Sequence, residues 1–216
     1  MRKYKAVIFD LDGTLLDTLC DLYISVNYAL SRFGYPEKTI DQVRAYVGNG
    51  IGKLIERALP SGIENPDYEK VLAVFKEHYG ANCENNTSPY PGIDELLANL
   101  TSAGIKTAVV SNKADFAVKS LCRRFFPSLE GRAIGEREGV RRKPAPDSVY
   151  AAMELLGVSA EESVYVGDSE VDVATAKNAG IDLIAVSWGF RERVELLSCG
   201  AQTVVDTAEA LGEMVL

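Results

Sequence analysis

The sequence predicts an α/β protein with a Rossmann-like core, a mostly parallel sheet with helices on both faces, plus an inserted all-helical cap domain. Three observations lead to this fold class. Helix and strand patterns alternate from residue 93 to the end of the chain. A long helical stretch separates the first strand from the others. That strand, the apolar run Ala6–Phe9, ends on two aspartates, Asp10 and Asp12, and ligands of open α/β sheets bind at such strand ends.

The segment 17–88 carries helical patterns and no convincing strand. Apolar side chains recur at helical spacing from Leu19 onward, and Gly34 follows as a stop. Further helical patterns, divided by VGNG and the turn-rich PSGIENP, cover 39–47, 51–59 and 67–79. We therefore predict a cap domain at 17–88 and a core domain formed by 1–16 and 89–216.

The rest of the core begins after the two-proline segment SPYPG, where the alternation of helix and strand starts. We predict a helix from Ile93 that stops at Gly104. The other predicted helices are 114–125, 148–156 and 170–179, and the predicted strands are 105–111, 131–135, 163–168, 182–188 and 202–205.

Composition excludes several classes of protein. The net charge of −8 over 216 residues argues against a nucleic-acid partner, because phosphate backbones select basic surfaces. No apolar stretch approaches the roughly 20 residues of a membrane span, and the N-terminal apolar run is broken at Asp10, so we expect no signal peptide, no membrane partner and a cytoplasmic location. His78 is the single histidine, which nearly removes histidine-rich zinc sites. The oligomeric state, monomer or dimer, stays open.

Polar side chains collect where the predicted strands end, and there we expect the functional site. The residues concerned are Asp10, Asp12 and Thr14 after the first strand, Ser111, Asn112 and Lys113 after the second, Lys143 in RRKPAPD, and Asp168 followed by Asp172. Two carboxylates about 4 Å apart repel by roughly 4 kcal/mol at an effective dielectric near 20. A cation is therefore expected between them.

The residue types match a magnesium site that holds a phosphate. Asp10, Asp12 and Asp168 offer hard oxygen ligands of the kind that Mg²⁺ prefers. The phosphate oxygens would be bound by donors, for which we propose Ser111, Asn112 and Lys143. Taken singly, these motifs also fit an acidic turn, a capped helix start, a loop and an acidic helix N-terminus. Their combination, in order on an α/β framework, favours a site.

The four motifs DLDGT, SNK, RKPAPD and GDSEVD resemble, in order and spacing, those of the haloacid dehalogenase-like superfamily of aspartate-nucleophile phosphotransferases. The resemblance covers essentially the whole chain, and the helical insert is similar to the superfamily's C1-type cap. It implies a Mg²⁺-dependent phosphomonoester hydrolase that works through an aspartyl-phosphate intermediate on a small phosphorylated metabolite.

The resemblance also implies a role for each motif residue. Asp10 is the nucleophile, and Asp12 is first the acid for the leaving alcohol and then the base for water. Asp10, the backbone carbonyl of Asp12 and Asp168 hold Mg²⁺. Ser111 and Lys143 bind the transferring phosphoryl group, and Asn112 lies beside it. Asp172 and Thr14 do not contact the substrate and instead hold these functional residues in place.

Within the superfamily, three stretches resemble the phosphoglycolate phosphatase branch: DTLCDLYISVNYALSRFGYP, VRAYVGNGIGKLIERAL and YPGIDELLANLTSAG. The resemblance implies 2-phosphoglycolate as the substrate. The loop of Gly48, Asn49 and Gly50, with Lys53 after it, is then expected to form part of the leaving-group pocket.

Other functions on the same framework stay open. A sugar-phosphate mutase of the β-phosphoglucomutase kind keeps the intermediate and changes the acceptor, and a pyrophosphatase or nucleotidase changes the leaving group. A non-catalytic binding module is disfavoured because every catalytic position is intact. Dehalogenase chemistry is disfavoured by Asp12, the acid–base residue that a phosphatase needs.

Overall fold

The structure is a computed structural model that describes residues 4–216; Met1–Lys3, which the sequence analysis assigns to the core, lie outside the described residues. The chain divides into two compact units. One contains the chain up to Leu16 and from Pro89 onward, and the other is Asp17–Ser88. That the second unit acts as a C1-type cap stays a prediction.

The described part of the chain forms eight strands. They are β1 (Ala6–Phe9), β2 (Leu16–Asp17), β3 (Ser88–Pro89), β4 (Lys106–Ala114), β5 (Ala133–Glu136), β6 (Ser163–Gly167), β7 (Asp182–Val186) and β8 (Val204–Val205). Six of them form one sheet in the order β5-β4-β1-β6-β7-β8, and all of its pairings are parallel. The chain winds outward from β1 to β5, returns to the other side of β1, and winds outward again. This doubly wound order confirms the predicted fold class.

The central strand shows why the sequence builds a sheet covered on both faces. All four residues of β1 are fully buried. Val7 and Phe9 belong to the hydrophobic cluster on one face of the sheet, and Ala6 and Ile8 belong to the cluster on the other. A strand buried on both faces needs a continuous apolar run, because successive side chains point to opposite faces.

The described residues form ten α-helices. They are α1 (Leu19–Ser31), α2 (Ile40–Tyr46), α3 (Ile51–Ala58), α4 (Tyr68–Asn82), α5 (Ile93–Ser102), α6 (Asp115–Phe125), α7 (Asp147–Leu156), α8 (Glu170–Ala179), α9 (Arg193–Ser198) and α10 (Ala208–Val215). The first four form the Asp17–Ser88 unit. None of the helices in this described part is long and apolar enough to cross a membrane.

The structure corrects the sequence analysis in three places. The strand predicted at 105–111 continues to Ala114 with a register shift after Val110, so the SNK motif lies within β4 and not beyond its end. The helices α9 and α10 were not predicted, although Thr207 caps α10. The segment 17–88 was predicted without strands, but Asp17 and Ser88 belong to the two-residue strands β2 and β3, which pair with each other.

Candidate active site

The first motif turns away from the sheet directly after β1. The backbone N–H of Asp10 donates to the Val166 carbonyl at 2.8 Å, which continues the pairing of β1 with β6 for one more residue. Its carboxylate Oδ1 then accepts from the backbone N–H of Leu11 at 2.7 Å and lies 2.9 Å from Lys143 Nζ. These contacts orient a buried carboxylate at the carboxyl end of the central strand.

Lys143 is held by three oxygen atoms, as many as its ammonium group has protons. Nζ lies 2.9 Å from Asp10 Oδ1, 2.8 Å from Asp172 Oδ1 and 3.0 Å from the Tyr165 hydroxyl. The other carboxylate oxygen of Asp172 accepts from the N–H and hydroxyl of Ser169 and so caps α8. Burial alone would lower the pKa of Lys143, but the charges of Asp10 and Asp172 raise it well above its usual value. Lys143 is therefore a fixed, permanently charged group beside Asp10.

Asp168 follows β6, and both of its carboxylate oxygens are engaged. Oδ1 accepts from the Thr14 hydroxyl at 3.0 Å, and Oδ2 accepts from the backbone N–H of Phe190 at 2.7 Å. Two glycines allow this close packing. A Cβ on Gly13, whose φ is +87°, would lie 2.2 Å from Asp168 Oδ2, and one on Gly189 would lie 2.2 Å from the Gly13 carbonyl oxygen.

The buried carboxylates carry more negative charge than the lysines neutralise. One carboxylate oxygen from each of Asp10, Asp168 and Asp172 lies within 4.8 Å of the other two. Burial raises the pKa of Asp10 to about 7 against the lowering effect of Lys143. Burial, followed by the charges of Asp172 and Asp10, raises the pKa of Asp168 well above its usual value. Hard oxygen donors with excess negative charge fit a divalent cation such as Mg²⁺.

The second motif places three neighbouring side chains of β4 near the end of the strand, all of them buried. The Ser111 hydroxyl accepts from the backbone N–H of Lys113 at 3.2 Å, and the Asn112 amide donates to the Lys143 carbonyl at 3.0 Å. Lys113 Nζ lies 2.6 Å from Asp12 Oδ1. The Asp12 carboxylate therefore pairs with Lys113, whereas the Asp10 carboxylate pairs with Lys143.

The loop Gly48–Gly50 joins α2 to α3 in the other unit. Arg57 donates to the Tyr46 carbonyl at 2.7 Å and to Asn49 Oδ1 at 2.7 Å, which fixes the loop on α3. Lys53 forms an ion pair with Glu56 at 2.7 Å. A role of Gly48, Asn49, Gly50 and Lys53 in substrate binding stays a prediction.

The sequence analysis placed Lys113 at this edge of the sheet without giving it a role, and it missed three further contributors to the site: Tyr165, Trp188 and Phe190. The Trp188 indole donates to the Thr14 carbonyl at 3.0 Å, beside the Phe190 contact to Asp168. Lys113 carried a signal in the sequence, since it belongs to the SNK motif that follows the predicted strand. Tyr165 carried none, because an aromatic residue inside a buried strand is ordinary core.

A doubly wound parallel sheet with a lysine-held aspartate after its central strand and further buried carboxylates beside it fits the class of enzymes that act on phosphate groups. Comparison with known proteins narrows this class. Residues 7–186 match the model of the haloacid dehalogenase-like hydrolase family. The chain belongs to this family, and within it the chain is a phosphatase.

Similar proteins support this assignment. The chain is 34% identical over 217 residues to a phosphoglycolate phosphatase of Pseudomonas syringae pv. tomato, across 96% of this chain and 78% of the relative. It is 34% identical to that of Aquifex aeolicus across 86% of each protein. A solved structure from Lactobacillus delbrueckii subsp. bulgaricus, provisionally assigned as a phosphoglycolate phosphatase, matches with a TM-score of 0.96 and 40% identity, across 100% of this chain and 99% of that one.

Proposed function

We propose that this phosphatase is a Mg²⁺-dependent phosphomonoester hydrolase whose substrate is 2-phosphoglycolate and whose nucleophile is Asp10. The observation that carries the proposal is the 2.9 Å contact between Asp10 Oδ1 and Lys143 Nζ at the end of β1. A buried lysine at that distance orients the carboxylate and can also neutralise an incoming phosphoryl group. The phosphoglycolate phosphatase relatives support the choice of substrate.

In the first step, the Asp10 carboxylate attacks phosphorus, and the bond to the ester oxygen breaks as that oxygen takes a proton from Asp12. The product is an aspartyl-phosphate on Asp10 and the free alcohol. In the second step, Asp12 removes a proton from water, and the water oxygen attacks phosphorus. The bond between phosphorus and the Asp10 oxygen breaks, which releases inorganic phosphate and returns Asp10 as a carboxylate. Ser111 donates to a phosphoryl oxygen, Lys143 supplies positive charge beside the phosphoryl group, and Asn112 fixes the loop that carries Lys143.

Phosphatases of this family generally use Mg²⁺. Here Asp10, Asp168 and the backbone carbonyl of Asp12 would hold the ion, and Asp172 supports the site through Lys143. When bound, Mg²⁺ supplies charge that lowers the repulsion between a carboxylate nucleophile and a phosphate ester. The excess of buried carboxylates and the raised pKa values of Asp10 and Asp168 support such a site.

The test is phosphate release from a panel of small esters, with Mg²⁺ or with EDTA. The panel holds 2-phosphoglycolate, sugar phosphates, nucleotides and pyrophosphate. We expect 2-phosphoglycolate to lead in kcat/KM and both EDTA and Asp10→Asn to abolish turnover. Asp94→Asn is the matched control, because Asp94 is exposed in the first turn of α5.

Other outcomes would separate the parts of the proposal. If another ester leads and the same controls hold, the substrate is wrong and the mechanism survives. Isomerisation of β-glucose 1-phosphate without net phosphate release would favour the mutase. Turnover that survives Asp10→Asn would contradict the assignment of the nucleophile.

A further inference from the structure

Lys113 is a buried cation that has no role in the formation or the hydrolysis of the aspartyl-phosphate. Its side chain is 4% exposed, and its Nζ lies 2.6 Å from Asp12 Oδ1, whose side chain is 15% exposed. The phosphoryl group already has its own lysine, since Lys143 contacts Asp10 and Asp172. The site thus holds one lysine beside the nucleophile and a second beside the acid–base residue.

The position of Lys113 brings its charge close to the leaving group. An acid that protonates the ester oxygen must lie within hydrogen-bond reach of it, about 2.6–3.2 Å. With Lys113 Nζ at 2.6 Å from Asp12 Oδ1, an ester oxygen that is hydrogen-bonded to this same oxygen lies within about 6 Å of the ammonium. A carboxylate on the carbon next to the ester oxygen spans most of this distance.

We propose that Lys113 is a specificity-determining residue that binds the anionic group of the leaving alcohol, a carboxylate one carbon away from the ester oxygen. This inference rests on the proposed function and deepens it. The carboxylate of the substrate contacts the ammonium while Asp12 contacts the ester oxygen. Lys113 then selects α-carboxylate esters over neutral ones and sets the ester oxygen within reach of Asp12.

The charge balance of the site supports this assignment. A buried ammonium is costly unless opposite charge surrounds it, and Asp12 supplies such charge in the free enzyme. A substrate carboxylate beside Lys113 adds a second opposite charge next to the buried ammonium, and a neutral leaving group does not.

The test compares two esters of the same length, 2-phosphoglycolate and 2-hydroxyethyl phosphate, in wild-type enzyme and Lys113→Met. The readout is the ratio of their kcat/KM values, which a general disturbance of Asp12 leaves unchanged because it slows both esters alike. We expect the ratio to fall about 30-fold in Lys113→Met, the worth of one charge-assisted hydrogen bond. Lys113→Arg keeps the charge and should retain most of the ratio.

Lys119→Met is the matched control, because Lys119 forms a partly exposed ion pair with Asp115 at 2.6 Å on α6. This variant should keep the wild-type kcat/KM for both esters. Thermal unfolding establishes that each variant is folded. If Lys113→Met does not fold, Lys113→Gln keeps a donor for Asp12 and carries the same comparison.

The outcomes distinguish this inference from the proposed function. If wild-type enzyme prefers 2-phosphoglycolate and Lys113→Met keeps the full preference, the inference is wrong and the proposed function stands. An equal loss for both esters means that Lys113 only positions Asp12, which also overturns the inference. If wild-type enzyme shows no preference for the carboxylate ester, both the substrate assignment and the inference are wrong.

Discussion

Replacing Lys143 by methionine removes a buried positive charge from the site and leaves the shape of the side chain nearly unchanged. The side chain is 2% exposed, and its Nζ lies 2.9 Å from Asp10 Oδ1 and 2.8 Å from Asp172 Oδ1. Breaking a buried pair by removing one partner costs about 3–5 kcal/mol, because the remaining charge is left uncompensated. At about 2–4 °C per kcal/mol for a chain of this size, Lys143→Met should lower Tm by about 10 °C.

The assay is thermal unfolding followed by circular dichroism at pH 7.5 in EDTA, so that no cation substitutes for the lysine. Lys119→Met is again the matched control, since a partly exposed ion pair contributes less than about 1 kcal/mol. Lys143→Met should also lose about 10²–10³-fold in kcat, because the cation beside the reacting phosphoryl group is absent. A Tm within about 2 °C of wild type would refute the reasoning, because the free energy of unfolding would then have changed by about 1 kcal/mol or less.

A double variant separates the charge from the packing. Asp172→Asn removes one of the two carboxylates that Lys143→Met leaves uncompensated. We therefore expect Lys143→Met/Asp172→Asn to be more stable than the sum of the two single effects by at least about 1 kcal/mol. Additive losses would mean that Lys143 stabilises the protein by packing and not by pairing with Asp172.

Two further predictions follow from the site. The pKa of Asp10 is raised from 3.8 to about 7 in the folded metal-free protein, so the folded state keeps a proton that the unfolded chain loses, and stability falls as the pH rises from about 4 to about 7. Mg²⁺ removes this penalty, so the difference in Tm between Mg²⁺ and EDTA should widen from pH 5 to pH 8; a constant difference, or the same widening in Asp10→Asn, would contradict this. Gly189→Ala should cost about 2–4 kcal/mol and most of the activity, because its Cβ would lie 2.2 Å from the Gly13 carbonyl oxygen. In the control Gly80→Ala, nothing lies within 4 Å of the added Cβ, so the free energy of unfolding should rise by about 0.5–1 kcal/mol. Equal effects of the two changes on unfolding and on phosphate release would overturn the packing argument.

The fold and most of the candidate site were predictable because their signals are local. The run Ala6–Phe9 shows by itself that its strand is covered on both faces, and a parallel sheet brings the residues after its strands to one edge. The predicted helices 148–156 and 170–179 end directly before Gly157 and Gly180, and both glycines adopt positive φ. The helix α9 was missed because it is only six residues long, too short for a clear period.

The pairing of charges at the shared edge was not predictable. Asp12 and Lys113 stand 101 positions apart, and the length of β4 beyond residue 111 decides where the lysine lies. The contact of the Phe190 N–H with Asp168 depends on a backbone group of a loop, which carries no sequence signal of its own.

The sequence by itself determined the class of fold, the strand ends at which the functional side chains lie, and the set of carboxylates and lysines that meet there. These follow from periodicity and chain order, which are properties of neighbouring residues. Only the tertiary structure decided that Lys143 pairs with Asp10 and Asp172 while Lys113 pairs with Asp12. That choice depends on strand register and side-chain direction, because buried charges interact strongly only at contact distance and distances between remote residues are set by the packed fold.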